Sequence, residues 1–196
     1  MHVPGNEHLS KAEWRTRILH ARAEVPPEQH AREAADLASA ARAVQAETVC
    51  AYLPFGTEPG RISLVEALAG TGARVLLPVI QDTSGPLDWA VYTGPDELAP
   101  GRLRGILEPS GPRLGVTAVG AAEVILVPAL AVDRRGVRLG RGAGHYDRSL
   151  VSATADLLAV VRAEELVDRL PGEPHDVPMS AALTPDGLVR LPAAVV

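Results

Sequence analysis

Residues 48–80 read TVCAYLPFGTEPGRISLVEALAGTGARVLLPVI, and this stretch decides the fold. Residues 48–53 (TVCAYL) form a short apolar run rich in strand formers. Residues 62–69 read as a helix that Gly70 ends, and residues 74–80 (RVLLPVI) as a second, buried strand. A strand, a crossover helix and another apolar strand make the unit from which layered α/β sheets are built.

The alternation continues on both sides. Upstream, Ser10-Lys11-Ala12-Glu13 has the S-x-x-E form of a capping box, so a helix should begin near residue 11. Trp14, Ile18, Ala21 and Val25 follow at helical spacing until Pro26-Pro27 stops the run. A second helix fits residues 28–45, with Ala34, Leu37, Ala38 and Ala41 on one face. Downstream, residues 87–92, 123–127 and 157–162 read as strands. Residues 145–154 and 163–169 read as helices. The segments 179–184 and 188–191 flank Pro185-Asp186-Gly187, a hairpin or tight-link signal. The expected architecture is one α/β domain over residues 1–196, with a mostly parallel central sheet and helices on both faces. Ligands on such sheets sit beyond the carboxyl ends of the strands, which points to the loops after Leu53 and after Val127.

Composition narrows the function classes. The chain has 196 residues, a formal charge of −5, 46% apolar and 22% charged residues, values of a folded domain rather than a disordered one. One cysteine, Cys50, excludes an intrachain disulfide framework and a cysteine-rich zinc site. Its apolar surroundings predict a buried, inert thiol. No apolar run approaches a membrane span, and the N-terminus lacks a signal-peptide pattern, so a cytoplasmic protein is expected. Mild acidity argues against broad nucleic-acid binding. Of the 19 basic residues Lys11 is the only lysine. A lysine is a compact point charge with rotatable donors that arginine does not reproduce. It is either a functional residue or a remnant on an exposed helix face.

The densest chemical signal is Arg138-Leu139-Gly140-Arg141-Gly142-Ala143-Gly144-His145-Tyr146-Asp147-Arg148. Alternating glycines let backbone approach an anion closely, and Arg138 and Arg141 add forked donors suited to phosphate. Asp147 could hold Mg²⁺. The pattern is neither a Walker A loop nor a dinucleotide fingerprint, and a solvated glycine loop is the plain alternative. Trp89 and Tyr92 are aromatic candidates either for a flat ligand or for the core. No nucleophile elbow supports a serine hydrolase.

Residues 128–133 (PALAVD) with Gly136-Val137-Arg138-Leu139-Gly140 and Gly142-Ala143-Gly144-His145-Tyr146-Asp147 resemble the signature of the 5-formyltetrahydrofolate cyclo-ligase family, also called 5,10-methenyltetrahydrofolate synthetases. The resemblance extends to Lys11-x-x-x-Arg15, to the Tyr52-x-Pro54 segment with Glu58, to residues 103–109 (LRGILEP), and to Glu173 and Asp176 in residues 173–176. His145 stands where the family has the first tyrosine of Y-Y-D, and Pro59 and Arg61 depart from its E-V-x-T element.

The resemblance implies ATP-dependent conversion of 5-formyltetrahydrofolate to 5,10-methenyltetrahydrofolate, with ATP and Mg²⁺. It implies Lys11, Arg15, Arg138, Gly140, Arg141, Gly142, Ala143, Gly144, His145, Tyr146 and Asp147 as the nucleotide side. Arg138, Arg141 and Tyr146 would be catalytic. Leu53, Glu58, Trp89 and His145 would form the folate side, and Asp147 with Asp176 the Mg²⁺ ligands. The expected partners are small molecules, with no nucleic acid and no membrane, and the expected state is a monomer, with a weak dimer as the alternative. Two other readings stand beside it: a non-catalytic nucleotide- or folate-binding regulator, and a kinase of another small acid.

Overall fold

The structure is a computed structural model that describes residues 9–82, 85–151, 153–173 and 176–192. The first helix, α1 (Lys11–Ala23), starts where the capping box placed it: Glu13 N–H donates to Ser10 Oγ, and Ser10 N–H donates back to the Glu13 carboxylate at 2.8 Å. Its buried stripe is Trp14, Ile18 and Arg22, not Ala21 and Val25. Helix α2 (Pro27–Ala41) follows with the expected face of Ala34, Leu37, Ala38 and Ala41 buried.

Strand β1 (Thr48–Cys50), helix α3 (Ile62–Ala69) and strand β2 (Arg74–Val79) build the expected crossover unit. Next come β3 (Asp88–Val91), β4 (Leu98–Pro100), β5 (Leu107–Pro109) and β6 (Val124–Pro128). Then follow β7 (Ala131–Asp133), β8 (Arg138–Leu139), the short helix α4 (His145–Ser149) and β9 (Asp156–Val160). The described chain ends with β10 (Leu166–Val167), β11 (Ala181–Thr184) and β12 (Gly187–Arg190).

The main sheet has seven strands in the order β12-β11-β9-β6-β1-β2-β3. The five inner strands are parallel, and the edge strands β3 and β12 run antiparallel to their neighbours. Counting only the parallel strands in chain order, the spatial order is 2-1-3-4-5, a doubly wound arrangement. Alternate residues of each strand face opposite layers. Val49, Val75, Leu126, Leu158 and Leu183 pack under Leu37 of α2 and Leu64 and Leu68 of α3. Cys50, Leu76, Ile125, Leu157 and Ala182 face the other way, onto Trp89, Val119, Leu150 and Met179. That second face is covered by the 3-10 turn Val116–Ala121, the short helix α4 and its exit at Leu150, and the segment at Met179.

Two secondary sheets were not legible in the sequence: β10-β7-β8 and β4-β5. Helix α1 packs Trp14 and Ile18 onto the first of these, against Leu130, Ala131 and Leu139. Two helix expectations are corrected. Residues 163–169 form a 3-10 turn over Ala163–Glu165 followed by β10, and the helix expected over 145–154 spans only His145–Ser149. No described helix is long and apolar enough to cross a membrane.

Candidate active site

In a doubly wound sheet the ligand crevice opens where strand order reverses, here between β1 and β6. Both strands run into the walls of one cleft of about 220 Å³. Tyr52, Leu53, Phe55 and Glu58 come from the loop after β1, and Pro128 and Ala129 from the end of β6. Leu77, Pro78 and Ile80 come from β2 and its exit, and Leu103, Ile106 and Leu107 from the arm leading into β5. The glycine loop, residues 140–147, closes the fourth side.

That loop is held by its own arginines and by α1. Arg138 donates from Nη1 to the Pro128 carbonyl at 3.1 Å, and its Nη2 pairs with the Asp147 carboxylate. Arg15 reaches across from α1 and donates from Nε to the Gly140 carbonyl at 2.9 Å. Gly142 (φ +98°) and Gly144 (φ +70°) adopt left-handed backbone that a side chain would strain. The geometry of the turn therefore depends on those two glycines. Asp133, fully buried, shapes the entry to the loop by accepting from the backbone N–H groups of Arg135, Val137 and Leu170.

Opposite the loop, Glu58 is 6% exposed despite its charge. Its Oε1 accepts from Arg141 Nε at 3.1 Å, and its Oε2 accepts from Phe55 N–H at 3.2 Å. Arg141 also lies over the Phe55 ring, 5.3 Å from its centroid, a cation–π contact. Burial pushes the Glu58 carboxyl above its ordinary value, and Arg141 with the Phe55 amide only partly offsets this. Burial likewise pushes the phenols of Tyr52 and Tyr146 far upward, so both keep their protons.

The sequence-expected residues divide into those the cleft gathers and those it does not. Leu53, Glu58, Arg138, Gly140, Arg141, Gly142, Ala143, Gly144, His145, Tyr146 and Asp147 all line it. Arg15 supports the loop from behind. Trp89 is a correction: it is fully buried in the sheet core and lines no part of the cleft. In the edge strand β3 its ring serves the layer beneath the sheet, where a large apolar side chain gains most from burial.

The two carboxylates that the resemblance gives to Mg²⁺ are each paired with a cation. Asp147 is engaged by Arg138, and Asp176 by Lys11, whose Nζ lies 3.1 Å from Oδ2 and 2.8 Å from Glu173 Oε2. Among the described residues no three His, Cys, Asp or Glu side chains gather as a metal site. A divalent ion on these carboxylates would take the place of Arg138 and Lys11. Burial lowers the Lys11 ammonium, but its hydrogen bonds to Glu173 and Asp176 outweigh that and raise it overall. Lys11 is therefore charged but is not among the residues lining the cleft.

Tyr52, Phe55 and the apolar arm of Leu103, Ile106 and Leu107 were absent from the sequence-derived site. Tyr52 and the arm stood in segments that carry the family resemblance, which was the available signal.

The family model described as the 5-formyltetrahydrofolate cyclo-ligase family matches residues 7–185. The chain is 49% identical over 191 residues to the 5-formyltetrahydrofolate cyclo-ligase of Mycolicibacterium smegmatis, covering 93% of this chain and 97% of that protein. It is 36% identical over 146 residues to the enzyme of that name from Escherichia coli K12, covering 72% of this chain and 80% of the other. The NMR structure of Aquifex aeolicus 5,10-methenyltetrahydrofolate synthetase superposes with a TM-score of 0.78 at 25% identity, covering 94% of each chain. The 5,10-methenyltetrahydrofolate synthetase of Mycoplasma pneumoniae shares the fold, with a TM-score of 0.68 at 19% identity over 89% of this chain and 98% of the other. The chain belongs to the 5-formyltetrahydrofolate cyclo-ligase family.

Proposed function

We propose that this chain, acting as one domain and as a monomer, converts 5-formyltetrahydrofolate to 5,10-methenyltetrahydrofolate at the expense of ATP. The observation that carries the reading is one cleft at the switch point of the sheet, walled on one side by an arginine-bearing glycine loop and on the other by buried Glu58. An apolar slot with a few convergent polar groups suits a flat ring, and Arg138 and Arg141 suit phosphate oxygens.

The chemistry fits those parts. A formyl oxygen is a poor leaving group, so it is first phosphorylated by ATP. N10 of the folate then attacks the activated carbon, and inorganic phosphate leaves with the former formyl oxygen. Charge develops on phosphoryl oxygens, so the protein's work is positioning and electrostatic stabilisation rather than covalent catalysis. Arg138 and Arg141 supply the positive charge and protonated Tyr146 a hydrogen-bond donor. Arg15 fixes the Gly140 carbonyl, and Glu58 accepts from the folate. Mg²⁺, where present, would neutralise phosphate charge, and no step here depends on it.

ADP release tests the reading against its rivals. Release that requires 5-formyltetrahydrofolate supports it. Release with another small acid instead points to a kinase, and tight ATP binding without release points to a regulator.

A further inference from the structure

Residues 103–109 (LRGILEP) take no part in the chemistry above, yet they carry a buried carboxyl. Glu108 in β5 is 8% exposed, and its Oε1 accepts from the Ile80 N–H at 3.0 Å. Ile80 lies just past the end of β2, where the ladder to β3 stops at the Val79–Asp88 pair, so its amide needs a partner from elsewhere. The carboxyl is also wedged in place: a Cβ on Gly101 would lie 2.6 Å from Glu108 Cδ. A second tie runs beside the first, from Arg102 Nη1 to the Gln81 carbonyl at 2.7 Å. The two-stranded β4–β5 arm is thus pinned to the exit of β2 at two consecutive residues.

The pinned arm forms a wall of the cleft. Leu103 and Leu107 are 45% and 46% exposed, Ile106 is half-buried, and all three line it. Large apolar side chains left open together at a groove mark a surface that a ligand covers. Ile80 lines the same cleft with Leu77 and Pro78, so the Glu108–Ile80 bond fixes one apolar wall to another. We propose that Glu108 is a positioning residue for the folate: through Ile80 it sets the arm so that Leu103 and Leu107 lie against the flat ring. This rests on the cyclo-ligase reading and goes beyond it by assigning the arm and its pin.

The arm's own chemistry selects the ring. Leu103, Ile106 and Leu107 offer apolar surface to a planar group and no donor to a phosphate. The phosphate-seeking Arg138 and Arg141 belong to the glycine loop on another wall. Burying a carboxyl gains nothing for an apolar core, whereas holding two walls at a set separation serves a ligand between them.

The test compares Glu108→Ala with Glu108→Gln, read by calorimetric binding of 5-formyltetrahydrofolate and of ATP, by KM for each and by Tm. In Glu108→Ala, folate binding should weaken roughly three- to tenfold, the scale of one hydrogen bond. KM for the folate should rise with it, while ATP binding and KM for ATP stay unchanged. Glu108→Gln should restore folate binding, because its amide oxygen accepts from the same N–H. Leu103→Ala with Leu107→Ala should weaken folate binding without lowering Tm, since both side chains are open. Equal folate affinity in wild type and either the Glu108→Ala or the double leucine variant, with wild-type turnover intact, overturns the inference alone. So does a Glu108→Gln variant as impaired as Glu108→Ala. A Glu108→Ala chain that fails to fold, or loses both substrates equally, makes the carboxyl structural and also overturns it. A rise in KM for ATP alone gives the arm to the adenine and overturns it too. The expected folate losses with no turnover by wild type support the positioning role and overturn the cyclo-ligase reading instead. A wild-type chain that does not bind the folate overturns both.

Discussion

Arg141 Nε donates to Glu58 Oε1 at 3.1 Å across 83 residues of sequence, joining the glycine loop to the loop after β1. The two partners sit in different surroundings: the Glu58 side chain is 7% exposed and that of Arg141 is 41% exposed. The carboxylate bears most of the desolvation, and the guanidinium can turn toward water or a ligand.

That asymmetry sets a pH dependence. Burial raises the folded-state pKa of Glu58 above its unfolded value. Between those two values the folded protein holds more protons than the unfolded chain, so stability falls as pH rises through the window. The contribution of Glu58 is present in full below its unfolded pKa and is lost above its folded one. Glu58→Gln should remove this slope. Thermal melts from pH 4 to pH 8 should show the variant gaining on wild type as pH rises, while folate binding is lost. A constant difference across that range would contradict the assignment.

Arg22 and Glu165 form a buried pair, with side chains 1% and 5% exposed and Nε to Oε1 at 2.6 Å. Arg22 Nη2 also donates to the Ala129 carbonyl at 2.7 Å, beside the Pro128 carbonyl that receives Arg138. Arg22→Met strands Glu165 and should cost about 3–5 kcal/mol in urea unfolding, the scale of an uncompensated buried charge. Arg22→Met with Glu165→Leu should recover much of that loss. A single variant as stable as wild type would contradict the geometry.

Lys11→Arg keeps the charge but replaces a rotatable ammonium with a longer planar fork. We propose that Lys11 leaves Glu173 and Asp176 for the phosphates when ATP binds, and loss of one such charge-assisted hydrogen bond is about 1.5–3 kcal/mol. Steady-state kinetics should therefore show kcat/KM for ATP lowered roughly ten- to a hundredfold, with Tm scarcely changed. Full activity in the variant removes Lys11 from the nucleotide site and leaves it as the partner of Glu173 and Asp176.

Cys50 is fully buried, and burial pushes its thiol up to about 12. A thiol reagent at neutral pH should leave the native protein unmodified and label it only on unfolding. Rapid native labelling would contradict the packing of β1.

Much of this was legible in the sequence because it is local. The Ser10–Glu13 box, the Gly70 stop and the Pro185–Gly187 turn each act within a few residues, and α3 and the terminal hairpin form where those signals put them. The glycine loop was legible for the same reason. What was not legible depends on distant partners. Helical spacing alone does not mark Arg22 as buried, because Glu165 lies 143 residues away. Trp89 offered the same aromatic face to a ligand or to the core, and only its place in the edge strand decides for the core. The family resemblance gives Asp147 and Asp176 to a metal, and no local signal shows that Arg138 and Lys11 pair with them in the fold.

The central claim is turnover, and the absorbance of the methenyl product tests it most directly. Purified protein is mixed with 5-formyltetrahydrofolate and Mg²⁺, with and without ATP. The account predicts a rise in methenyl absorbance that requires ATP and is lost in Arg141→Ala. No product despite measured ATP binding, or product formed equally well without ATP, would contradict it.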